Sequence, residues 1–196
     1  KIKLSGGQLA GGNSSTEKAE NDFYATDPKT VKTFLDEAIS IFNNVNTIHE
    51  PCCGEGHLSN VLNDYFDAEI INTDLIDRGF GIGNVDYLKT DFKYNSDLII
   101  TNPPFSLINQ FIEKGIKDTK RYLVLLAKIQ TLETKERKKL LENTPLKYVF
   151  VHSKRQATWK NGEPLDPNGK KWATTMCLAW FVWDKEYYGE PIIKFL

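Results

Sequence analysis

Apolar residues along this chain follow two alternating spacings. One, every three or four positions, is typical of an amphipathic helix and first appears from Val31 to Phe42, after the helix-start pair Asp27-Pro28. The other is a short continuous apolar run, which predicts a buried strand. The predicted strands are 47–53, 69–75, 97–101, 122–127 and 148–151, and the helical patterns that follow them cover 58–65, 107–112 and 133–143.

This alternation predicts an α/β fold, because parallel strands are joined by crossover helices. We expect a mainly parallel, twisted sheet flanked by helices. The last long apolar segment, 173–184, follows a polar stretch rather than a helix, so we expect a C-terminal strand that enters the sheet antiparallel. A further short strand is expected near Val85.

Domain organisation follows from length and composition. The chain has 196 residues, the size of one domain. Residues 5–18 are rich in Gly, Ser and polar groups, so we expect a flexible N-terminal arm at 1–20 and a single domain at 21–196. No internal repeat is found.

Composition excludes several classes of protein. The chain is 40% hydrophobic and 26% charged, with net charge −1, so any nucleic-acid contact must use a local basic surface. No apolar run approaches the roughly 20 residues that span a bilayer, and we expect no membrane partner. Three cysteines cannot form a disulfide framework and, like the three histidines, lack metal-ligand spacing. We therefore expect a cytoplasmic protein without a metal.

Candidate chemistry lies where predicted strands end, since ligands of open α/β sheets bind there. Glu50-Pro51-Cys52-Cys53-Gly54-Glu55-Gly56 closes one strand, and its glycines let a ligand approach the backbone. The pattern equally fits a plain tight turn. Asp74 follows the next strand, 20 residues after Gly54. A carboxylate there can bind the ribose hydroxyls of a nicotinamide cofactor or of S-adenosylmethionine, or it is simply a solvated strand end.

The most specific motif is Asn102-Pro103-Pro104-Phe105, directly after the strand at 97–101. Two prolines fix the backbone and remove two N–H donors, which leaves a rigid turn rich in acceptors. The side-chain oxygen of Asn102 and the carbonyl of Pro103 can both accept from one –NH2 group. Phe105 can stack on the ring that carries this group. The motif therefore predicts a site for a planar amine.

Together these motifs resemble the S-adenosylmethionine-dependent amino-methyltransferases, above all the N6-adenine DNA methyltransferases. The resemblance rests on EPCCGEG, Asp74, Asp86-Tyr87-Leu88 and NPPF, with the segment 22–28 (DFYATDP) similar to the remaining cofactor motif. It covers roughly residues 22–128. A weaker similarity in LLAKIQ, KERKKL and AWFVWDK is to the small single-domain methyltransferases of bacteriophages and prophages. The resemblance implies a Rossmann-like class I methyltransferase fold with S-adenosylmethionine as cofactor.

The resemblance also implies residue roles, carried over only where residues match. Asn102, Pro103, Pro104 and Phe105 are the expected catalytic residues, which hold the target amine. Asp74 is expected at the ribose, Asp86 at the adenine amino group and Tyr87 beside the adenine ring. Departures are Ala-Thr-Asp-Pro in place of the commoner Thr-Pro, and cysteines in place of small residues at 52–53. The remaining expected cofactor residues are Phe23, Thr26, Pro28, Glu50, Cys52, Gly54 and Gly56.

The segment 153–172 is the candidate substrate-contact loop. Five basic residues outnumber two acidic ones and are interleaved with tryptophans, a composition suited to phosphates and stacked bases, although a plain surface loop fits equally well. The expected substrate-binding residues are Lys154, Arg155, Trp159, Lys160, Lys170 and Lys171.

The function implied is methyl transfer to adenine N6 in DNA, with the target base flipped out of a duplex. Alternatives are the same chemistry on RNA adenine or a protein glutamine amide, or a non-catalytic subunit that binds cofactor or nucleic acid. Because the chain lacks an obvious target-recognition region, we expect specificity that is short or relaxed, or that is supplied by a homodimer or a separate specificity partner.

Overall fold

The computed structural model describes residues 24–156, 158–160, 162–170, 172 and 176–196. The arm predicted at 1–20 and the candidate residues Phe23 and Lys171 lie outside these residues. In the described part of the chain, no helix is long and apolar enough to cross a membrane.

Strands and helices alternate through most of the described chain. The helices are α1 (Pro28–Ala38), α2 (His57–Tyr65), α3 (Ile108–Asp118) and α4 (Lys135–Glu142). Short 3₁₀ turns span Ile39–Ile41, Phe105–Leu107 and Ile129–Leu132. The strands are β1 (Tyr24–Thr26), β2 (Thr47–Glu50), β3 (Glu69–Asn72), β4 (Leu98–Thr101), β5 (Tyr122–Lys128), β6 (Leu146–Val151), β7 (Thr158–Lys160), β8 (Leu178–Asp184) and β9 (Ile192–Phe195).

Among the described residues, seven strands form one sheet in the order β3-β2-β4-β5-β8-β6-β9. The pairs β2–β3, β2–β4, β4–β5 and β6–β9 are parallel, whereas β8 is antiparallel to both β5 and β6. The expected α/β class and the antiparallel entry of the late strand are therefore confirmed. The order also places the carboxyl ends of β3, β2 and β4 side by side, and these ends precede the candidate loops.

Helices cover both faces of the sheet. Alternate side chains of β5 point to opposite faces, because successive strand residues do so. Tyr122, Val124 and Leu126 join a core with α1 and α2, and their neighbours Leu123, Leu125 and Ala127 join a core with α3 and α4. Trp180 and Trp183 of β8 are buried, one in each of these two cores.

Helix α1 runs antiparallel to β5. Phe34, in its middle, stacks on Trp180 at 4.7 Å between ring centroids. Phe42, beyond its carboxyl end, contacts Tyr122 at the start of β5, with centroids 5.3 Å apart. The amino end of α1 therefore lies at the carboxyl edge of the sheet, where the candidate loops are.

Several expectations about elements are wrong. No strand forms near Val85; the nearest pairing is an isolated bridge between Thr73 and Ile82. The late strand begins at Leu178, so Met176 and Cys177 lie outside it. The segment predicted as a polar loop contains β7, which pairs with β1 in a small separate sheet. Strand β9, at the sheet edge, was not predicted at all.

Candidate functional site

The loop between β2 and α2 bends through two glycines in the left-handed region. Gly54 has φ of 55° and Gly56 has φ of 82°, conformations in which a side chain is strained. A Cβ atom on Gly56 would lie 2.4 Å from Cζ of Phe80. The Phe80 ring therefore covers this glycine directly, and the loop offers exposed backbone only when the ring moves.

Asp74 joins the end of β3 to this loop. Its Oδ2 accepts the Gly54 N–H at 2.8 Å, and its Oδ1 accepts the Ile76 N–H at 2.9 Å. The Arg78 guanidinium donates to Oδ1 at 3.0 Å from a side chain that is only 16% exposed. Three of the roughly four acceptor positions of the carboxylate are therefore in use.

Glu50, at the end of β2, is buried in a short hydrogen-bonded chain. The Ser59 hydroxyl contacts both the Glu50 carboxyl group and the side-chain oxygen of Asn72. Burial raises the pKa of Glu50 to about 8; the hydrogen bond from Ser59 opposes this shift and the charge of Asp74 adds to it. A hydroxyl has one hydrogen, so Ser59 donates to only one of these two oxygens at a time.

The adjacent cysteines are protonated thiols. Burial raises the pKa of Cys53 to about 12, with further contributions from Glu50 and Asp74. Burial also raises the pKa of Cys52 well above its usual value. Because the thiolate is the nucleophilic form, neither side chain is suited to covalent catalysis at neutral pH.

Asp86 and Tyr87 lie in the loop that follows Asp74. The Val85 N–H, just before them, donates to the Asp74 carbonyl at 2.9 Å. The Asp86 carboxylate accepts the Leu88 N–H and pairs with Lys89 at 2.9 Å; that hydrogen bond lowers its pKa. Tyr87 is buried, with its ring 5.4 Å from that of Phe111 and 5.7 Å from that of His49. Both residues thus support the loop through local contacts.

The Asn102–Phe105 motif directly follows β4. Asn102 is half-buried and Pro103 is buried, and the Pro104 carbonyl accepts the Leu107 N–H at 2.9 Å in a 3₁₀ turn. The Phe105 ring is partly buried against the core formed with α1 and α2. Lys128, the last residue of β5, places its Nζ 5.2 Å from the centroid of this ring.

The small β1–β7 sheet lies against the start of α2. Ala25 pairs with Trp159, whose ring contacts that of His57 edge-on at 5.3 Å. His57 directly follows Gly56, so this contact joins Trp159 to the glycine loop. Thr26 is buried in β1, and Pro28 is the first residue of α1. The structure therefore places Trp159 beside the glycine loop, with Thr26 in the strand that pairs with the one carrying Trp159.

The other candidate loop residues are placed less closely. Lys154, Arg155 and Lys170 are exposed, and the Trp172 N–H donates to the Glu163 carbonyl at 2.7 Å. Lys160 pairs through its backbone with Tyr24.

Sequence reasoning missed Arg78, Phe80 and Lys128, which contact Asp74, Gly56 and Phe105 respectively. It also missed the partners of Glu50. Lys128 carried no motif signal because its neighbour Phe105 is distant in sequence, in the 3₁₀ turn that follows β4. No group of His, Cys, Asp and Glu among the described residues could hold a metal ion.

No family model matches this chain, and no curated protein matches it. Solved structures do. A methyltransferase subunit of a type I restriction-modification system from Streptococcus thermophilus aligns with TM-score 0.64 and 14% identity over 95% of this chain and 49% of that one. The chain thus spans about half the length of that subunit.

Two further structures align over most of their length. A Pyrococcus horikoshii protein assigned as an RNA methyltransferase gives TM-score 0.61 at 14% identity, covering 88% of this chain and 93% of that one. Magnesium protoporphyrin IX methyltransferase from Synechocystis, crystallised with bound SAM, gives a TM-score of 0.51 at 13% identity. The alignment covers 81% of this chain and 79% of that one. The chain has a Rossmann-like methyltransferase fold. At these identities the likeness shows the fold alone.

Proposed function

We propose that this protein is an S-adenosylmethionine-dependent methyltransferase whose substrate is the N6 amine of adenine in DNA. The observation that carries the proposal is the Asn102–Phe105 motif at the carboxyl end of β4, next to the strands that end in Glu50 and precede Asp74. An amine-binding turn and a glycine loop with an acidic neighbour thus share one sheet edge. The methyltransferase fold supports this reading.

The cofactor site is assigned to the loop 50–56, to Asp74 and to the start of α1. Gly54 and Gly56 have left-handed backbone conformations that disfavour a side chain, so the loop backbone fits a closely bound ligand once the Phe80 ring leaves Gly56. When bound, S-adenosylmethionine supplies an electrophilic methyl group. Thr26 and Pro28 border its methionine end, and Asp74 accepts its ribose hydroxyls.

Arg78 and Phe80 must give way for this cofactor. Two ribose hydroxyls need two acceptor positions, whereas Asp74 has about one left while Arg78 donates to it. The Arg78 hydrogen bond is therefore exchanged for a hydroxyl, and the Phe80 ring swings off Gly56. The positive φ of Gly79 and Gly81, 76° and 69°, marks the positions around Phe80 at which this segment bends.

Catalysis is assigned to positioning and electrostatics. The lone pair of an exocyclic amine is delocalised into its ring, so the amine is a weak nucleophile. The Asn102 oxygen and the Pro103 carbonyl accept its two hydrogens and increase electron density on nitrogen as it attacks. Phe105 stacks on the base and fixes the approach. No general base is needed before transfer, because the product ammonium is acidic.

The segment 153–172 is assigned to the substrate. Trp159 lies beside the glycine loop through His57, and exposed Lys154, Arg155 and Lys170 add positive charge in the same segment. A nucleic-acid backbone fits that composition better than a protein amide does. A second copy or a specificity partner is proposed to complete sequence recognition.

The test is transfer of tritium from labelled S-adenosylmethionine to duplex DNA, single-stranded DNA, total RNA and a glutamine-containing protein mixture in parallel. Digestion and mass spectrometry then identify the methylated nucleoside or residue. We expect N6-methyladenine in DNA. Label found only in RNA or on glutamine would replace the proposed substrate, and no label anywhere, with cofactor bound, would contradict methyl transfer itself.

A further inference from the structure

Lys128 and Phe105 lie on the same face of the sheet. Lys128 is the last residue of β5. Since side chains two apart in a strand point to the same face, Lys128 shares the face of Tyr122, Val124 and Leu126, which pack in the core with α1 and α2. Phe105 packs against that same core. The distance of 5.2 Å between the Lys128 ammonium and the ring centroid is that of a cation–π contact. The Lys128 ammonium is thus in contact with the Phe105 ring.

The charge of Lys128 is not matched by a carboxylate. Within the residues that the structure describes, no Asp or Glu oxygen lies within 4.0 Å of its Nζ. Other partly buried lysines are paired: Lys114 with Asp118 at 2.9 Å and Lys147 with Asp184 at 3.0 Å. Among the described residues, the Phe105 ring thus contacts the ammonium of this partly buried lysine and no carboxylate pairs with it.

This placement has a consequence for the proposed reaction. As a methyl group is transferred, positive charge develops on the amine that stacks on Phe105. A neighbouring uncompensated ammonium opposes that charge by like-charge repulsion, most strongly in a site that excludes water. An anion bound to Lys128 removes the repulsion. The site therefore works best when the substrate brings an anionic group to this position.

We propose that Lys128 binds the phosphate next to the target nucleotide. This inference rests on the proposed function and adds to it the substrate group that completes the site. Adenine lies on Phe105 in this arrangement, and its own backbone phosphate is within reach of a lysine side chain. A glutamine amide carries no such anion, so Lys128 selects for nucleic acid.

The α-carboxylate of S-adenosylmethionine is the competing anion. The cofactor loops follow β2 and β3, whereas Lys128 ends β5, and β4 with its amine-binding motif lies between them in the sheet order β3-β2-β4-β5. Lys128 is thus on the far side of the motif from the ribose-binding strand. The methionine end of the cofactor, assigned to Thr26 and Pro28 at the start of α1, lies at the same sheet edge as Lys128, so the experiment is designed to separate the two anions.

The test compares the wild-type protein with Lys128→Met, Lys128→Arg and the control Lys117→Met. Lys117 is an exposed residue in the last turn of α3, where no candidate loop lies. Fluorescence anisotropy measures binding of a labelled single-stranded oligonucleotide and a labelled duplex between 50 and 300 mM salt, with S-adenosylhomocysteine present. Calorimetry measures binding of S-adenosylhomocysteine alone.

Loss of one phosphate contact lowers the slope of log affinity against log salt by about 0.7 for single strands or about 0.9 for duplex DNA. We expect that change in Lys128→Met and about fivefold weaker binding near physiological salt. Lys128→Arg keeps the wild-type slope, Lys117→Met changes nothing, and S-adenosylhomocysteine affinity is the same in all four proteins.

Two results would overturn the assignment of Lys128 while leaving the proposed function intact. One is a slope of log affinity against log salt that is the same for Lys128→Met as for a wild-type protein that binds and methylates nucleic acid. The other is weaker S-adenosylhomocysteine binding by tenfold or more, which would identify the cofactor carboxylate as the anion. A wild-type protein that binds no nucleic acid would overturn the proposed DNA substrate together with the assignment of Lys128.

Discussion

The buried Glu50 carboxyl group makes the stability of the fold depend on pH. Its pKa in the folded protein, about 8, lies above the ordinary 4.5 because the group is fully buried. The folded state therefore holds a proton that the unfolded chain releases. The contribution of Glu50 to stability is fully present below the unfolded value of 4.5 and is lost as pH rises through about 8. Glu50→Gln removes this dependence and keeps an oxygen that can accept from the Ser59 hydroxyl.

The size of the effect follows from the two pKa values. At about 1.4 kcal/mol for each tenfold change in proton affinity, a shift from 4.5 to about 8 costs roughly 5 kcal/mol when the carboxyl is fully ionised. At pH 7 the cost is about 3 kcal/mol. We therefore compare the free energy of unfolding of Glu50→Gln with that of the wild type at each pH. Relative to pH 4.5, this difference should shift in favour of the variant by about 3 kcal/mol at pH 7 and by roughly 5 kcal/mol once the carboxyl is fully ionised.

Urea unfolding followed by tryptophan fluorescence, at several pH values from 4.5 to 9 and without cofactor, measures this difference. Glu55→Gln is the matched control, since Glu55 is an exposed residue of the same loop. The control should stay within about 0.5 kcal/mol of the wild type at every pH. If the difference between Glu50→Gln and wild type is the same at pH 5 and pH 8, Glu50 is already ionised and our account of its hydrogen-bonded chain is wrong.

Three further predictions concern packing, acid stability and the cofactor. Gly115→Ala would place a Cβ 2.5 Å from Leu123 Cδ1, and this overpacking should outweigh the higher helix propensity of alanine. The free energy of unfolding measured in urea should fall by about 1–2 kcal/mol, and equal stability would contradict the prediction. Burial lowers the pKa of His49 and of His152 to about 4, so the stability of the fold should fall as pH drops from 6.5 toward 4. In His152→Gln the melting temperature should depend less on pH over this range, and an unchanged pH dependence would contradict the prediction. Asp74→Asn should weaken S-adenosylhomocysteine binding at least about tenfold by calorimetry, and an equal dissociation constant would remove Asp74 from the site.

The central sheet could be predicted from the sequence because its strands are continuous apolar runs. Strands β5 and β8 are buried along almost their whole length, so every position selects for an apolar side chain. Strand β9 gave no such signal: its four residues are exposed and follow a proline at the sheet edge. The pairing of β1 with β7 was hidden for a related reason, since three-residue strands are too short for a period.

The candidate site divides in the same way. Asn102–Phe105, the glycine loop and Asp74 could be predicted because each is a local motif at a strand end. Arg78 on Asp74 and Lys128 on Phe105 could not, because both contacts depend on how loops and strands meet in three dimensions. The buried environment of Tyr87 likewise depends on its packing against Phe111.

The most direct test of the account is a comparison of Asn102→Ala with the wild type in two measurements on the same preparations. One is S-adenosylhomocysteine binding, and the other is the rate of N6-methyladenine formation in DNA. We predict unchanged cofactor affinity and a rate at least about 100-fold lower, because the variant loses an acceptor that acts on the reacting amine. Equal rates for the two proteins would contradict the claim that this motif holds the amine during methyl transfer.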